Sequence, residues 1–357
     1  MKIKSISTSL QEVPLKQPYE ISYGAFDSVT LFLVELRLEN GILGLGSASP
    51  SPEVTNESVS GCKKSLSDDS LEYLIGKDIR CIQGLCSQNQ VKLQHSPAAA
   101  AAIDMALYDA FAKLMQKPLA QLLGQKHRSI ATSITVGIKD NVSDLLNDVR
   151  EYISQGFKIL KIKTGTHWKS DLEALRQVRK QVGPNIKIRV DPNQAYGIDA
   201  LIKFFKASES IGLEFIEQPI AIKDQYSLLE LPKLQRRKLA LDESVHNMKD
   251  AIDVLNPDPI GGIYNIKLMK CGGITPALKI ADVAQAYDID LMWGCMDESI
   301  ISISAALHVA FCCPQTRYLD LDGSLDLTKD FVSGGFLLKN GMMSINGEHG
   351  LGLKLDC

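Results

Sequence analysis

Three short apolar runs in the middle of the chain each close on an acid: Asp191 in IKIRVD, Glu217 in LEFIEQP and Asp242 in KLALDES. They recur roughly every 25 residues, about the length of a strand, a helix and two loops. If each run is a strand of one parallel barrel, the three carboxylates stand side by side at its C-terminal rim. Hard cations such as Mg²⁺ take oxygen ligands, and one carboxylate from each of three strands leaves positions open for water or an anionic substrate. The pattern therefore predicts a metal site on Asp191, Glu217 and Asp242. Lysines bracket it: KILKIKTG carries Lys161 and Lys163, and IYNIKLMKCGG carries Lys267 one repeat beyond Asp242. Strand alternation puts Lys161 and Lys163 on the same side, and a lysine inside a barrel has to be paired or functional. The second and sixth strands of an eight-stranded barrel lie across from one another, so Lys163 and Lys267 would face a bound ligand from opposite sides. Two bases placed so can remove a proton from one face of a carbon and return it to the other, which inverts a stereocentre.

The elements that must position these groups follow from the flanking pattern. Residues 1–50 alternate like strands with a turn at Glu39-Asn40-Gly41, and residues 53–125 read as helices. From Ser129 a strand and helix unit repeats, with strand ends near Thr135, Lys163, Asp191, Glu217, Asp242, Lys267, Gly294 and Asp320. Beyond Asp322 short strands return, with turns at Gly334-Gly335 and Asn340-Gly341. The expectation is an α/β fold: a modified (β/α)7β TIM-type barrel over 126–325, an α+β capping domain over 1–125, and a tail, 326–357, packing back on the cap. A chain of 357 residues has room for both parts, and 45% hydrophobic with 23% charged residues is ordinary globular composition. A net charge of −3 offers no field for nucleic acid. No apolar run approaches the length of a membrane span, so no membrane partner is expected. The eight cysteines are scattered without a CxxC, which reads as reduced thiols and a cytoplasmic location.

The KxK pair, the single acids in DPNQ, EQP and DES, the NIKLMKCGGIT segment and the stretch AAIDMALYDAFAKLMQKPLAQLLG together resemble the enolase superfamily, muconate-lactonizing subgroup. The DxD pair Asp320 and Asp322, in RYLDLDG, resembles the dipeptide epimerases among them. The resemblance covers nearly the whole chain. It implies one Mg²⁺ per subunit, proton exchange by Lys163 and Lys267 at the α-carbon of a dipeptide's second residue, and a homo-oligomer. Lysine bases assisted by Mg²⁺ belong to that family's known chemistry, in which the cation offsets the dianionic enediolate.

Substrate contacts are expected from Lys161, Thr135, Asp320, Asp322, Asp297, Tyr23 and Phe26. Lys161 either steers the substrate carboxylate or depresses the proton affinity of Lys163 by repulsion. Asp320 and Asp322 share a strand face and would seat an ammonium group, unless the pair only caps a loop. Asp297, in WGCMDES, either favours a polar or cationic side chain or caps a helix. The segment YEISYGAFDS resembles the family's flexible cover; it lacks the arginine that alanyl-glutamate epimerases carry there, and its aromatics suggest hydrophobic or neutral dipeptides. An L-Ala-D/L-Glu epimerase remains an alternative, as do an N-acylamino-acid racemase, an o-succinylbenzoate synthase, a muconate cycloisomerase and a catalytically silent carboxylate-binding protein. Lys169 and Lys270 read as solvated loop residues, His246 as a loop histidine that is more often solvated than functional, and Asn193 and Gln194 as second-layer or turn residues.

Overall fold

In the computed structural model, residues 1–21 and 24–356 are described, the side chains of residues 17–26 excepted. Three antiparallel strands, Ile3–Ile21, Gly24–Leu38 and Leu43–Ala48, form the N-terminal sheet. The helix Pro97–Leu114 lies against it. Pro97 occupies the first turn, where its missing N–H costs nothing. Glu57 Oε2 accepts the Ala98 amide at 2.7 Å, so a distant carboxylate does the capping that the Ser96 side chain does not. The run Ala98–Ala102 is buried because helix and sheet touch backbone to backbone. A Cβ on Gly46 would sit 1.8 Å from the Ala102 carbonyl oxygen, which is why that strand carries glycine there.

Two buried acids on this helix join it to the rest of the molecule. Asp104 accepts the Thr275 amide and hydroxyl at 3.0 and 2.9 Å. Asp109 accepts the amides of Leu45 and Leu351 at 2.9 and 2.8 Å, with the Lys113 ammonium alongside at 2.7 Å. Cap sheet, barrel and C-terminal tail are thereby tied to one rod. The tail itself forms the pairs 332–334 with 353–355 and 336–339 with 342–345, the latter extended by Ile130–Ala131.

Eight parallel strands, Ile134–Val136, Ile159–Lys163, Lys187–Asp191, Ile216–Glu217, Leu239–Leu241, Ile263–Ile266, Asp290–Trp293 and Thr316–Leu319, follow one another in chain order through a single sheet. A parallel bridge between Thr132 and Leu319 brings the first and last together, giving the barrel expected from the repeat. Phe215, Ala240, Ile263 and Met292 pack inside it. Among them Arg189 lies fully buried over the rings of Phe215 and Tyr318, at 5.0 and 5.2 Å, with Glu214 as its ion-pair partner at 2.7 Å. No helix among the described residues is long and apolar enough to cross a membrane.

Candidate active site

The site grows out of the strand ends. Lys163 and Asp191 are register partners on the second and third strands, and Thr135 on the first is the partner of Lys161. The strands turn sharply just past the acids: Asn193, Gln194 and Gln218 all have positive φ, at 43°, 68° and 30°, strain that non-glycine residues hold only where surroundings fix it. Asn193 is fixed by its amide on Asp191 Oδ1 at 3.0 Å. Gln218 is fixed by accepting the Asp242 and Ser244 amides at 2.9 and 3.2 Å while donating to Ser244 Oγ at 2.8 Å, so the fourth strand end shapes the loop after the fifth.

Four ammonium groups stand among the candidate ligands. Lys163 Nζ donates to Asp191 Oδ2 at 2.7 Å and to Asn193 Oδ1 at 2.9 Å. Lys267 Nζ donates to Asp242 Oδ2 at 2.6 Å, and Lys270 Nζ donates to Asp242 Oδ1. Lys161 Nζ lies 3.4 Å from Asp191, 3.2 Å from Glu217 and 2.6 Å from Asp320. Burial disfavours its charge, but those three carboxylates outweigh it and hold its proton more tightly than usual. Burial likewise pushes up the carboxyls of Asp191 and Asp242, yet Lys163 with Lys161, and Lys267 with Lys270, win and keep both acids below the ordinary range. Glu217 goes the other way, to about 8, because burial and the charge of Asp191 exceed what Lys161 returns.

That imbalance tests the fit of a metal ion. Glu217 Oε2 is buried and accepts no hydrogen bond, its cationic neighbour being the Lys161 ammonium at 3.2 Å, while Asn265 Nδ2 holds Oε1 at 2.8 Å. Asp191, Glu217 and Asp242 are close enough to raise one another's proton affinity, a repulsion that a divalent cation relieves with oxygen donors suited to Mg²⁺. As the side chains lie, no three acidic, imidazole or thiolate groups among the described residues converge as a ready-made metal cluster; lysine ammoniums are on their oxygens instead.

Beside this centre is a cavity of ≈290 Å³, bounded on one side by the strand ends and on the other by cap residues from Ser28–Thr30 and Ser49–Val54. Lys161, Lys163, Lys267, Thr135, Asp297, Asp320 and Asp322 all line it. Asp320 is already engaged, accepting from Lys161 and, at 2.6 Å, from Ser133 Oγ, so the expected two-acid seat for an ammonium narrows to Asp322. Asp322 Oδ2 accepts the Thr135 amide at 2.6 Å, and burial together with Asp320 and Asp326 raises it to about 7. Asp297 does not cap the following helix: Ser299 Oγ takes the Ile301 amide and Asp330 the Ile300 amide. Asp297 faces the cavity and helps raise Asp326, another lining acid, to about 6, after burial. Tyr23 and the Phe26 side chain lie outside the described residues and side chains.

Two expectations need correction. Lys270 is not solvated; it is 4% exposed, since the turn Leu268–Cys271 folds it back beneath Asp242. His246 is half-buried rather than solvated, with Nε2 accepting no bond, and burial and Lys270 hold it down to about 4. Lys169 is exposed as expected, 5.6 Å over the Trp168 ring. Ser133 and Asp326, both in reach of the DxD segment, were missed; Ser133 is two residues before Thr135, so it falls on the same strand face.

Carboxylates and lysines at the strand ends of a parallel barrel, with a capping domain beside its mouth, are the groups that metal-assisted proton transfer next to a carboxylate requires. Residues 5–124 match the mandelate racemase / muconate lactonizing enzyme N-terminal domain, and residues 144–357 match the enolase C-terminal domain-like family. The chain belongs to the enolase superfamily. It is 45% identical over 353 residues to the L-Lys-D/L-Arg epimerase of Methylococcus capsulatus, covering 99% of both chains. A crystal structure of a dipeptide epimerase from Methylococcus capsulatus, complexed with Mg and the dipeptide L-Arg-D-Lys, superposes with a TM-score of 0.97 over 99% of each chain at 45% identity. The hydrophobic dipeptide epimerase of Enterococcus faecalis is 33% identical over 355 residues, 99% of each chain.

Proposed function

We propose that this protein is a Mg²⁺-dependent dipeptide epimerase that inverts the α-carbon of the C-terminal residue, acting on free dipeptides with cationic side chains. The observation carrying the proposal is the acidic wall of the cavity. Among the described side chains, six acids line it: Glu53, Asp148, Asp297, Asp320, Asp322 and Asp326. Asp148 is balanced by Lys139 at 2.7 Å and Asp320 by Lys161. Burial, Asp320 and Asp326 raise the proton affinity of Asp322, and burial and Asp297 raise that of Asp326 against the opposing charge of Lys16, so this end of the cavity favours positive groups. An α-ammonium needs one of these acids; the others suit a lysyl or arginyl side chain. The likeness to an L-Lys-D/L-Arg epimerase supports the same choice. The apolar preference expected from Tyr19, Tyr23 and Phe26 rests on groups outside the described side chains.

Asp191, Glu217 and Asp242 would hold Mg²⁺, which supplies positive charge to the substrate carboxylate as its α-proton becomes acidic. Lys163 and Lys267, on the second strand and at the end of the sixth, leave their carboxylate partners and exchange the α-proton from opposite faces. Asn193 offers Lys163 a neutral partner from which to act. Lys161 stays among Asp191, Glu217 and Asp320 as a fixed positive charge lining the cavity.

Incubating a dipeptide panel in D₂O and reading mass tests the reading. Lys- and Arg-containing dipeptides should gain one deuteron at the second residue faster than Ala-Ala or Leu-Tyr. Equal or faster exchange of apolar dipeptides would overturn the cationic preference, and no exchange with any dipeptide would overturn the function.

A further inference from the structure

The four buried acceptors around the Lys270 ammonium have no part in the proton transfer just described. Lys270 Nζ donates to the Asp242 main-chain oxygen at 2.5 Å and to Asp242 Oδ1, and lies 3.2 Å from the carbonyls of Val245 and Asn265. Its side chain is 1% exposed and it does not line the cavity, so it cannot touch a substrate held there. It reaches Asp242 because the turn Leu268–Cys271 closes on Gly272 and Gly273, both at positive φ, 93° and 114°, which turns the chain back toward the barrel. Lys267, just before the short helix, and Lys270, within it, thus approach one carboxylate, each on its own oxygen.

We infer that Lys270 is a positioning residue that pins Asp242 as a one-oxygen ligand. With Oδ1 and the main-chain oxygen both held from beneath by Lys270, Oδ2 is the oxygen left to meet a cation, which displaces the Lys267 ammonium from it. Mg²⁺ needs near-octahedral geometry and keeps several waters, and a carboxylate chelating through both oxygens would take a position that water or the substrate carboxylate needs. Outer partners of this kind fix the orientation of ligands, and their loss commonly weakens metal binding about 10–100-fold. The inference rests on Asp242 being a ligand, as proposed above.

The test is Mg²⁺ affinity measured by titration calorimetry on metal-free, full-length protein, with no substrate present. Lys270→Met should raise the Mg²⁺ Kd about 10–100-fold. Ile280→Ala, a cavity-forming change in the buried face of the helix Ile274–Ala286, serves as a destabilised control whose Kd stays at the wild-type value. If Lys270→Met does not accumulate as folded protein, Lys270→Gln takes its place, since it keeps a donor for the carbonyls and withdraws the ammonium. An unchanged Kd in whichever Lys270 variant folds overturns the inference, as does an equal loss in the control. Asp242→Asn separates the two assignments. If it binds Mg²⁺ as tightly as wild type, the ligand reading fails; if it loses the ion while the Lys270 variant keeps it, only the role of Lys270 fails.

Discussion

If the proposed function holds, recognition of a free dipeptide depends on Asp322, and Asp322→Asn isolates its charge. Asparagine keeps an oxygen for the Thr135 amide now 2.6 Å away, so the strand end retains its shape. What goes is a charge-assisted bond to the substrate ammonium, worth roughly 1.5–3 kcal/mol, or about 10- to 150-fold in kcat/KM. The dependence on pH follows from the raised proton affinity. With Asp322 at about 7, the acid is largely protonated below that value and binds the ammonium weakly; it becomes the anion as pH rises. Above roughly 8 the dipeptide's own α-amine loses its proton. Free dipeptides should therefore show kcat/KM peaking between these limits, with the acidic limb flattened in the variant. N-acetylated dipeptides lack the cation and should be poor substrates by about tenfold or more, with Asp322→Asn changing them little. Rates are read from α-proton exchange in D₂O by mass spectrometry. If the variant slows free and acetylated substrates equally, or acetylated substrates turn over as fast as free ones, Asp322 is not the ammonium seat and an N-acylamino-acid racemase becomes the better reading.

Exhaustive chelation should abolish activity and Mg²⁺ restore it, because Asp191, Glu217 and Asp242 repel one another without a cation; full turnover by protein with no metal on analysis would remove the ligand set. Lys163→Ala and Lys267→Ala should each stop epimerisation yet each leave α-proton exchange in only one diastereomer, and losses of merely a few-fold, against the 10²–10⁴-fold typical of a general base, would place the bases elsewhere. Stability should fall with acid through His308, which is buried, accepts the Ala120 amide at 3.0 Å and is held down to about 4 by that burial. Since the folded value lies below the unfolded one of about 6.5, the unfolded chain takes the proton first, and stability is lost as pH drops from about 6.5 toward 4. The loss between pH 7 and 5 is about 2 kcal/mol, visible in urea unfolding as a pH-dependent term missing from His308→Gln; the same slope in both proteins would assign it to other groups.

The three carboxylates proposed to hold the metal were legible as a strand-end set because each closes an apolar run at the barrel's repeat length, and the lysines because period-two alternation commits Lys161 and Lys163 to one face. Their partners were not legible, because partnership depends on which strand ends the closed barrel brings together. Closure sets Leu319 against Thr132 and the hydroxyl of Ser133 on Asp320, while Lys161 on the neighbouring strand completes Asp320 from the other side. Arg189 adds to this from within the barrel, reaching Ser133 Oγ at 3.0 Å and the Leu319 carbonyl at 2.7 Å. A DxD pair that alternation makes equivalent is thus split by its surroundings. Asp320 is neutralised inside the barrel, and Asp322, repelled by it and by Asp326, faces the cavity with its proton affinity raised. The fate of Lys270 has a similar origin: a run of four residues is too short to show helical period, so only the turn at Gly272-Gly273 decides that its ammonium returns to Asp242 instead of going to solvent. With Asp320 paired to Lys161, the acids of the wall that the proposal calls on to select a side chain are Asp322, Asp326 and Asp297. On the proposed reading, the charge of those acids, rather than the DxD motif itself, would favour a lysyl or arginyl dipeptide over an apolar one.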